Sequence, residues 1–143
     1  MTSGLSPGRR SAIAWMLRGI GLLSVSALIA VILPGAWMDA IHRSLGLGEL
    51  PALPVVGYLS RSLSLFYAWL AIVPLWAARD VDRHLGLIRL FAVTGLSAAA
   101  IQTAIDLHSQ LPLWWTAAEI GFRFLFFGVL WQLTGGSFRS NRV

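Results

Sequence analysis

Long apolar stretches and short polar interruptions alternate along this chain in a pattern that predicts four membrane-crossing helices. The first uncharged run extends from Gly19 to Met38, with Arg18 just before it and Asp39 just after. At about 1.5 Å of rise per residue, such a run covers the roughly 30 Å of hydrocarbon that a helix must cross. Pro34 and Gly35 are expected to loosen its last turn. The second stretch runs from Pro54 to Ala78, and Ser60, Arg61, Ser62 and Ser64 make its first half unusually polar. A third, Gly86 to Ile105, carries Arg89 one turn inside its start, and a fourth, Leu113 to Leu133, is rich in aromatic residues and ends before Gly135 and Gly136. The charged turn Arg79 to His84 and the turn Asp106 to Pro112 are long enough only for helical hairpins.

Between Ala36 and Glu49 the periodicity changes character. Trp37, Ile41 and Leu45 recur at spacings of four, with Asp39, His42 and Arg43 on other faces, which suits a short amphipathic helix lying along a membrane surface. Gly46 and Gly48 would stop it, and Pro51 and Pro54 mark the entry to the second span. Arg9 and Arg10 ahead of the first run mimic a signal peptide, but the uncharged stretch is long and no small-x-small site follows it, so a retained helix is the better reading. The expected fold is therefore all-α: an integral membrane four-helix bundle with an interfacial helix between helices 1 and 2. Residues 1–10 are expected to be a disordered cytoplasmic N-terminus, 11–134 the transmembrane domain, and 135–143 a basic cytoplasmic tail.

Composition supports this picture. Of 143 residues, 57% are hydrophobic and 12% charged, which a water-soluble domain of this size could hardly bury. The formal charge is +5, and all 11 basic residues are arginines, most of them near the ends of apolar runs. That placement fits headgroup anchors and topology signals rather than a nucleic-acid surface. No cysteine is present, so disulfides and thiolate chemistry by this chain are excluded. Arg9, Arg10, Arg18, Arg79, Arg83, Arg89, Arg139 and Arg142 fall on one side of the expected membrane, with Arg43 and Arg61 near the other. The positive-inside rule then puts both termini in the cytoplasm, as in a multi-pass protein of the bacterial inner membrane.

The residues expected to matter most are charges that cannot reach water easily. Arg61, Asp106, Glu119 and Arg123 all count inward from the outer end of helices 2 to 4, with Glu119 and Arg123 on one helix face four residues apart. Charges at bilayer depth usually face the bundle interior with a partner, so these four are expected to form an interhelical ion-pair network or a polar pocket open to the outer leaflet. Asp39, His42, Tyr58 and Tyr67 are secondary candidates. The His and Asp residues lack the i, i+4 histidine pair or carboxylate triad of a metal site, so no metal and no cofactor is expected. Trp37, Trp76, Trp114, Trp115 and Trp131 fall near span ends as an interface belt. Gly95, Ala99 and Thr103, at spacings of four, would let another helix approach closely, within this chain rather than in a dimer. Common enzyme signatures are absent, so no catalytic residue is assigned.

The stretch Gly57-Tyr58-Leu59-Ser60-Arg61-Ser62-Leu63-Ser64-Leu65-Phe66-Tyr67-Ala68, followed by Arg79-Asp80-Val81, Asp106 and Pro112-Leu113-Trp114-Trp115-Thr116, resembles an uncharacterised family of small four-helix bacterial inner-membrane proteins. The likeness covers about residues 10 to 135 and implies fold and location alone. A weaker likeness is to DoxX-like membrane proteins, which implies redox or quinone partners without a motif here to carry catalysis. The expected function is that of a non-enzymatic membrane protein, either a helper subunit of a larger complex or homo-oligomer or a binder of a lipid-like molecule in the outer-leaflet pocket. The alternative is a quinone-linked accessory enzyme of DoxX-like type. Membrane lipids are expected partners, and nucleic acid is not.

Overall fold

The computed structural model describes residues 4–109 and 111–135, so the expected basic tail beyond Gly135 and the first three residues lie outside the described part. Among the described residues the regular structure is entirely helical: α1 (Pro7–Ser26), α2 (Leu28–Ile32), α3 (Gly35–Ser44), α4 (Pro54–Leu70), α5 (Ile72–Ala77), α6 (Leu85–His108) and α7 (Leu113–Gly135). Four stretches are long and apolar enough to cross a membrane: Pro7–Ile32, Pro54–Ala77, Leu85–His108 and Leu113–Gly135.

Prolines set several of the boundaries. Pro34 ends the first stretch, having no N–H to continue the ladder, and its carbonyl then accepts the N–H groups of Trp37 and Met38 to start α3. Pro54 opens α4 at its first turn, and the carbonyl of Pro112 accepts from Trp115 and Thr116 at the start of α7. The break at Ala71 between α4 and α5 falls three residues before Pro74, where a proline ring disturbs the preceding turn. The break at Ala27 has another cause. The Ser26 hydroxyl takes the Leu23 carbonyl at 2.6 Å, and the Ala27 N–H bonds Ser24 instead, a tighter turn than an α-helix makes.

Two boundaries differ from the sequence expectation. The first helix begins at Pro7, inside the stretch 1–10 read as disordered. Leu5 is buried there, and Ile13 and Leu17, four apart on α1, are fully enclosed, so an apolar stripe extends well ahead of the uncharged run. The third long helix continues to His108, and Asp106 is in its last turn rather than in the connection. The Gln102 amide donates to the Asp106 carboxylate at 2.8 Å from one turn earlier, which holds that residue on the helix.

The chain packs as two compact units. One holds the described residues up to Arg18 and from Trp76 onward. Its core joins Ile13 and Leu17 of α1 to Val81, Ile88, Ala92 and Leu130. Within it α6 and α7 pack closely along a stripe of α6 that reads Ile88, Ala92, Gly95, Ala99 and Asp106, all buried. Gly95 makes the close approach possible, because a Cβ there would run into the Phe127 ring. That ring also meets Phe91 edge-on at 5.3 Å between centroids. The other unit, Gly19–Leu75, packs α2 on α4.

Candidate functional site: polar groups on the apolar helices

Arg61 stands on the less exposed face of α4, in line with Gly57, Ser64 and the buried Ala68. Its Nε donates to the Val31 carbonyl at 3.2 Å and its Nη2 to the Leu33 carbonyl at 3.1 Å. Those carbonyls come from the last turn before Pro34, where the helix ladder fails and acceptors are left over. A guanidinium fork matches such a pair, and a cation is favoured at the negative end of a helix. Arg61 thus closes the end of α2 with two charge-assisted bonds, a partner thirty residues away that spacing could not reveal.

Glu119 and Arg123 form an ion pair one turn apart on α7, both about a quarter exposed at the side chain. Trp115, one turn before Glu119, donates its indole N–H to the other carboxylate oxygen at 3.1 Å. All three share the inward stripe of α7 that continues through Phe126, Leu130 and Thr134. The pair is therefore satisfied within its own helix.

Asp106 is the most deeply placed of the four candidates, 2% exposed. One carboxylate oxygen accepts from Gln102, and the other, Oδ2, is buried with no hydrogen-bond partner among the described residues. The short connection makes α6 and α7 an antiparallel pair. Counting along the seam from the Gly95–Phe127 contact brings Asp106 level with Thr116, which is also buried, and Ala99 level with Arg123. The seam is apolar through its middle, with Asp106 and Thr116 at the end joined by residues 109–112 and Arg89 and Thr134 at the other.

The structure brings Glu119 and Arg123 together and leaves Asp106 bonded on its own helix. Arg61 belongs to the other unit, where its bonds go to the Val31 and Leu33 carbonyls. The secondary candidates divide in two. Asp39 accepts the Leu50 N–H at 2.8 Å and pairs with Arg43 at 2.5 Å, and the His42 ring bonds the Gly48 carbonyl at 2.9 Å. These contacts fold the Leu45–Leu53 loop back on α3, and Gly46 and Gly48 supply the positive φ angles, 69° and 86°, that the reversal requires. Trp37 and Ile41 remain exposed on the apolar face of α3. Tyr58 and Tyr67 are exposed on the outer faces of α4, 68% and 46% respectively.

Sequence reasoning did not single out Arg89, whose guanidinium reaches from α6 to the Thr134 carbonyl at the end of α7, Nε at 3.1 Å. Its position one turn inside a span was the available signal, and the acceptor lies 45 residues on. No group of three or more His, Cys, Asp or Glu residues that could hold a metal occurs among the described residues. No family model matches the chain, and the comparisons with curated proteins and with solved structures give no match either.

Proposed function

We propose that this chain is a non-enzymatic multi-pass protein of the bacterial inner membrane, both termini cytoplasmic, and that the Asp106 end of its α6–α7 seam binds the head of a lipid-like molecule at the outer leaflet. The observation that carries the reading is the empty acceptor on Asp106: a buried carboxylate oxygen without a donor costs on the order of 1–3 kcal/mol, and a ligand hydroxyl or ammonium supplies the missing bond. Glu119 and Arg123, paired in the first half of α7, neutralise each other and leave Asp106 to select for a donor. Oδ2 is shut off from solvent, so a ligand reaches it only by local opening around Asp106.

A helper-subunit reading rests on a different observation. In the apolar 18-residue segment of each spanning stretch 11% to 22% of the residues are buried, and large apolar side chains such as Leu22, Ile32, Ile101 and Leu125 are exposed, surface that lipid or a partner's helices would cover. Native mass spectrometry of protein extracted in mild detergent separates the two. A lipid-like adduct held by the wild type and lost from Asp106→Asn supports the binding site. Bare monomer, or an adduct that survives the substitution, refutes it, and a co-purifying membrane subunit with no lipid adduct favours the helper reading.

A further inference from the structure

The same unit carries a second polar feature, remote in sequence from the α6–α7 turn. An open cavity of about 400 Å³ lies between α1 and the turn that precedes α6. Ser11, Trp15 and Arg18 line it from one face of α1, at spacings of four and three, and Arg79 lines it from the turn. Arg10, Asp80 and Asp82 complete the charged set. Arg10 and Asp82 neutralise each other at 3.0 Å. Asp80 accepts the backbone N–H of Arg83 at 3.1 Å. Three arginines and two aspartates give the cavity a net charge of +1, and no carboxylate among the described residues lies within ion-pair distance of Arg18 or Arg79.

We propose that this cavity binds the phosphodiester headgroup of an anionic glycerophospholipid. Arg18 and Arg79 are the phosphate's partners, and the Ser11 hydroxyl supplies a further donor. Arg18 is already positioned, its guanidinium 5.5 Å from the centroid of the Trp15 ring. Trp15 is two-thirds exposed and offers a flat apolar flank where headgroup meets acyl chain. Arg18 is the last charge in the sequence before an uncharged run through Ile32, so the cavity stands at the polar end of an apolar stretch. A cationic site beside an exposed tryptophan selects a lipid over a free anion, because a soluble phosphate would gain nothing from the apolar flank. Basic pockets at the cytoplasmic ends of spanning helices recognise anionic headgroups by the same physics.

The inference shares the membrane placement proposed above and is independent of Asp106. Its test titrates purified protein in detergent with phosphatidylglycerol or phosphatidylcholine, read by native mass spectrometry. The wild type is expected to retain phosphatidylglycerol preferentially, and Arg18→Gln combined with Arg79→Gln to weaken that retention about 30-fold, since each arginine near an anionic surface contributes a factor of about five. Arg79→Gln alone, at an exposed side chain, is expected to weaken it about 5-fold and carries the test should the double variant fail to fold. Arg83→Gln removes the same charge from the same turn outside the cavity, and retention is expected to hold. Equal retention of the two lipids overturns the proposal. So does an unaffected Arg79→Gln variant, an equal loss on Arg83→Gln, or displacement of phosphatidylglycerol by millimolar inorganic phosphate. Protein that stays soluble without detergent sinks the membrane placement, whereas detergent-requiring protein indifferent to headgroup charge sinks this site alone.

Discussion

Replacing Arg61 by methionine keeps most of the side chain's apolar length and removes the fork that closes the end of α2. Two charge-assisted bonds are lost, at 3.2 and 3.1 Å, and the third contact, to the Gly57 carbonyl at 3.4 Å, is too long to add much. Bonds to charged groups contribute about 1.5–3 kcal/mol each, so the gross loss is about 3–6 kcal/mol. Releasing the arginine from one rotamer returns about 2 kcal/mol of side-chain entropy, and the net destabilisation expected is about 1–4 kcal/mol. Equilibrium unfolding in mixed micelles, followed by far-ultraviolet circular dichroism, measures it.

The reasoning makes a sharper demand on a double variant. Pro34→Ala allows residues 33–35 to continue the helix, so that the Gly35 and Trp37 N–H groups can take the Val31 and Leu33 carbonyls that Arg61 now serves. In that background Arg61→Met is expected to cost less than about 1.5 kcal/mol, a coupling that only a shared interaction produces. An equal loss in both backgrounds would refute the capping role. So would a loss under about 0.5 kcal/mol in the wild type, the level of an ordinary surface change.

Two further outcomes follow from the packing. Gly95→Ala drives a methyl group into the Phe127 ring and is expected to destabilise the α6–α7 pair by about 1–3 kcal/mol, with Phe127→Leu restoring most of it; unfolding of the two single variants and the double variant in the same micelles checks this. Asp39→Ala removes the acceptor for the Leu50 N–H and the partner of Arg43, so limited proteolysis is expected to cut the Leu45–Leu53 loop several-fold faster, with helix content and the rest of the digest unchanged.

Length and hydropathy made the helices readable in the sequence because both are local quantities. The starts at Pro54 and Leu113 were likewise readable, since proline chemistry acts within one turn. The small-residue stripe of the third span was legible for the same reason, and its use as a close approach appears at Gly95. The early start of α1 is less legible, although Ile13 and Leu17 stand four apart, because Arg9, Arg10 and Arg18 interrupt the apolar run that marks a long helix. The partners of Arg61 and Arg89 were illegible in principle. Each depends on a helix end created elsewhere in the chain, at Pro34 and at Thr134, and no pairwise spacing encodes that a carbonyl has lost its donor.

What a polar group on an apolar helix can do depends on how many of its bonding positions the fold already uses. Arg61 and Arg89 spend theirs on carbonyls at helix ends, and any ligand that took either one would leave those carbonyls bare. Glu119 and Arg123 are each other's partner, and Trp115 occupies a further lone pair, so recruiting either charge first requires breaking the pair. Asp106 differs because its Oδ2 can accept a donor without displacing anything. Arg18 and Arg79 differ for the complementary reason: their donors border an open cavity whose nearby carboxylates are engaged elsewhere. The two proposed sites are thus the places where binding would add bonds rather than exchange them, which is why substitution there is expected to change what the protein retains more than how firmly it folds.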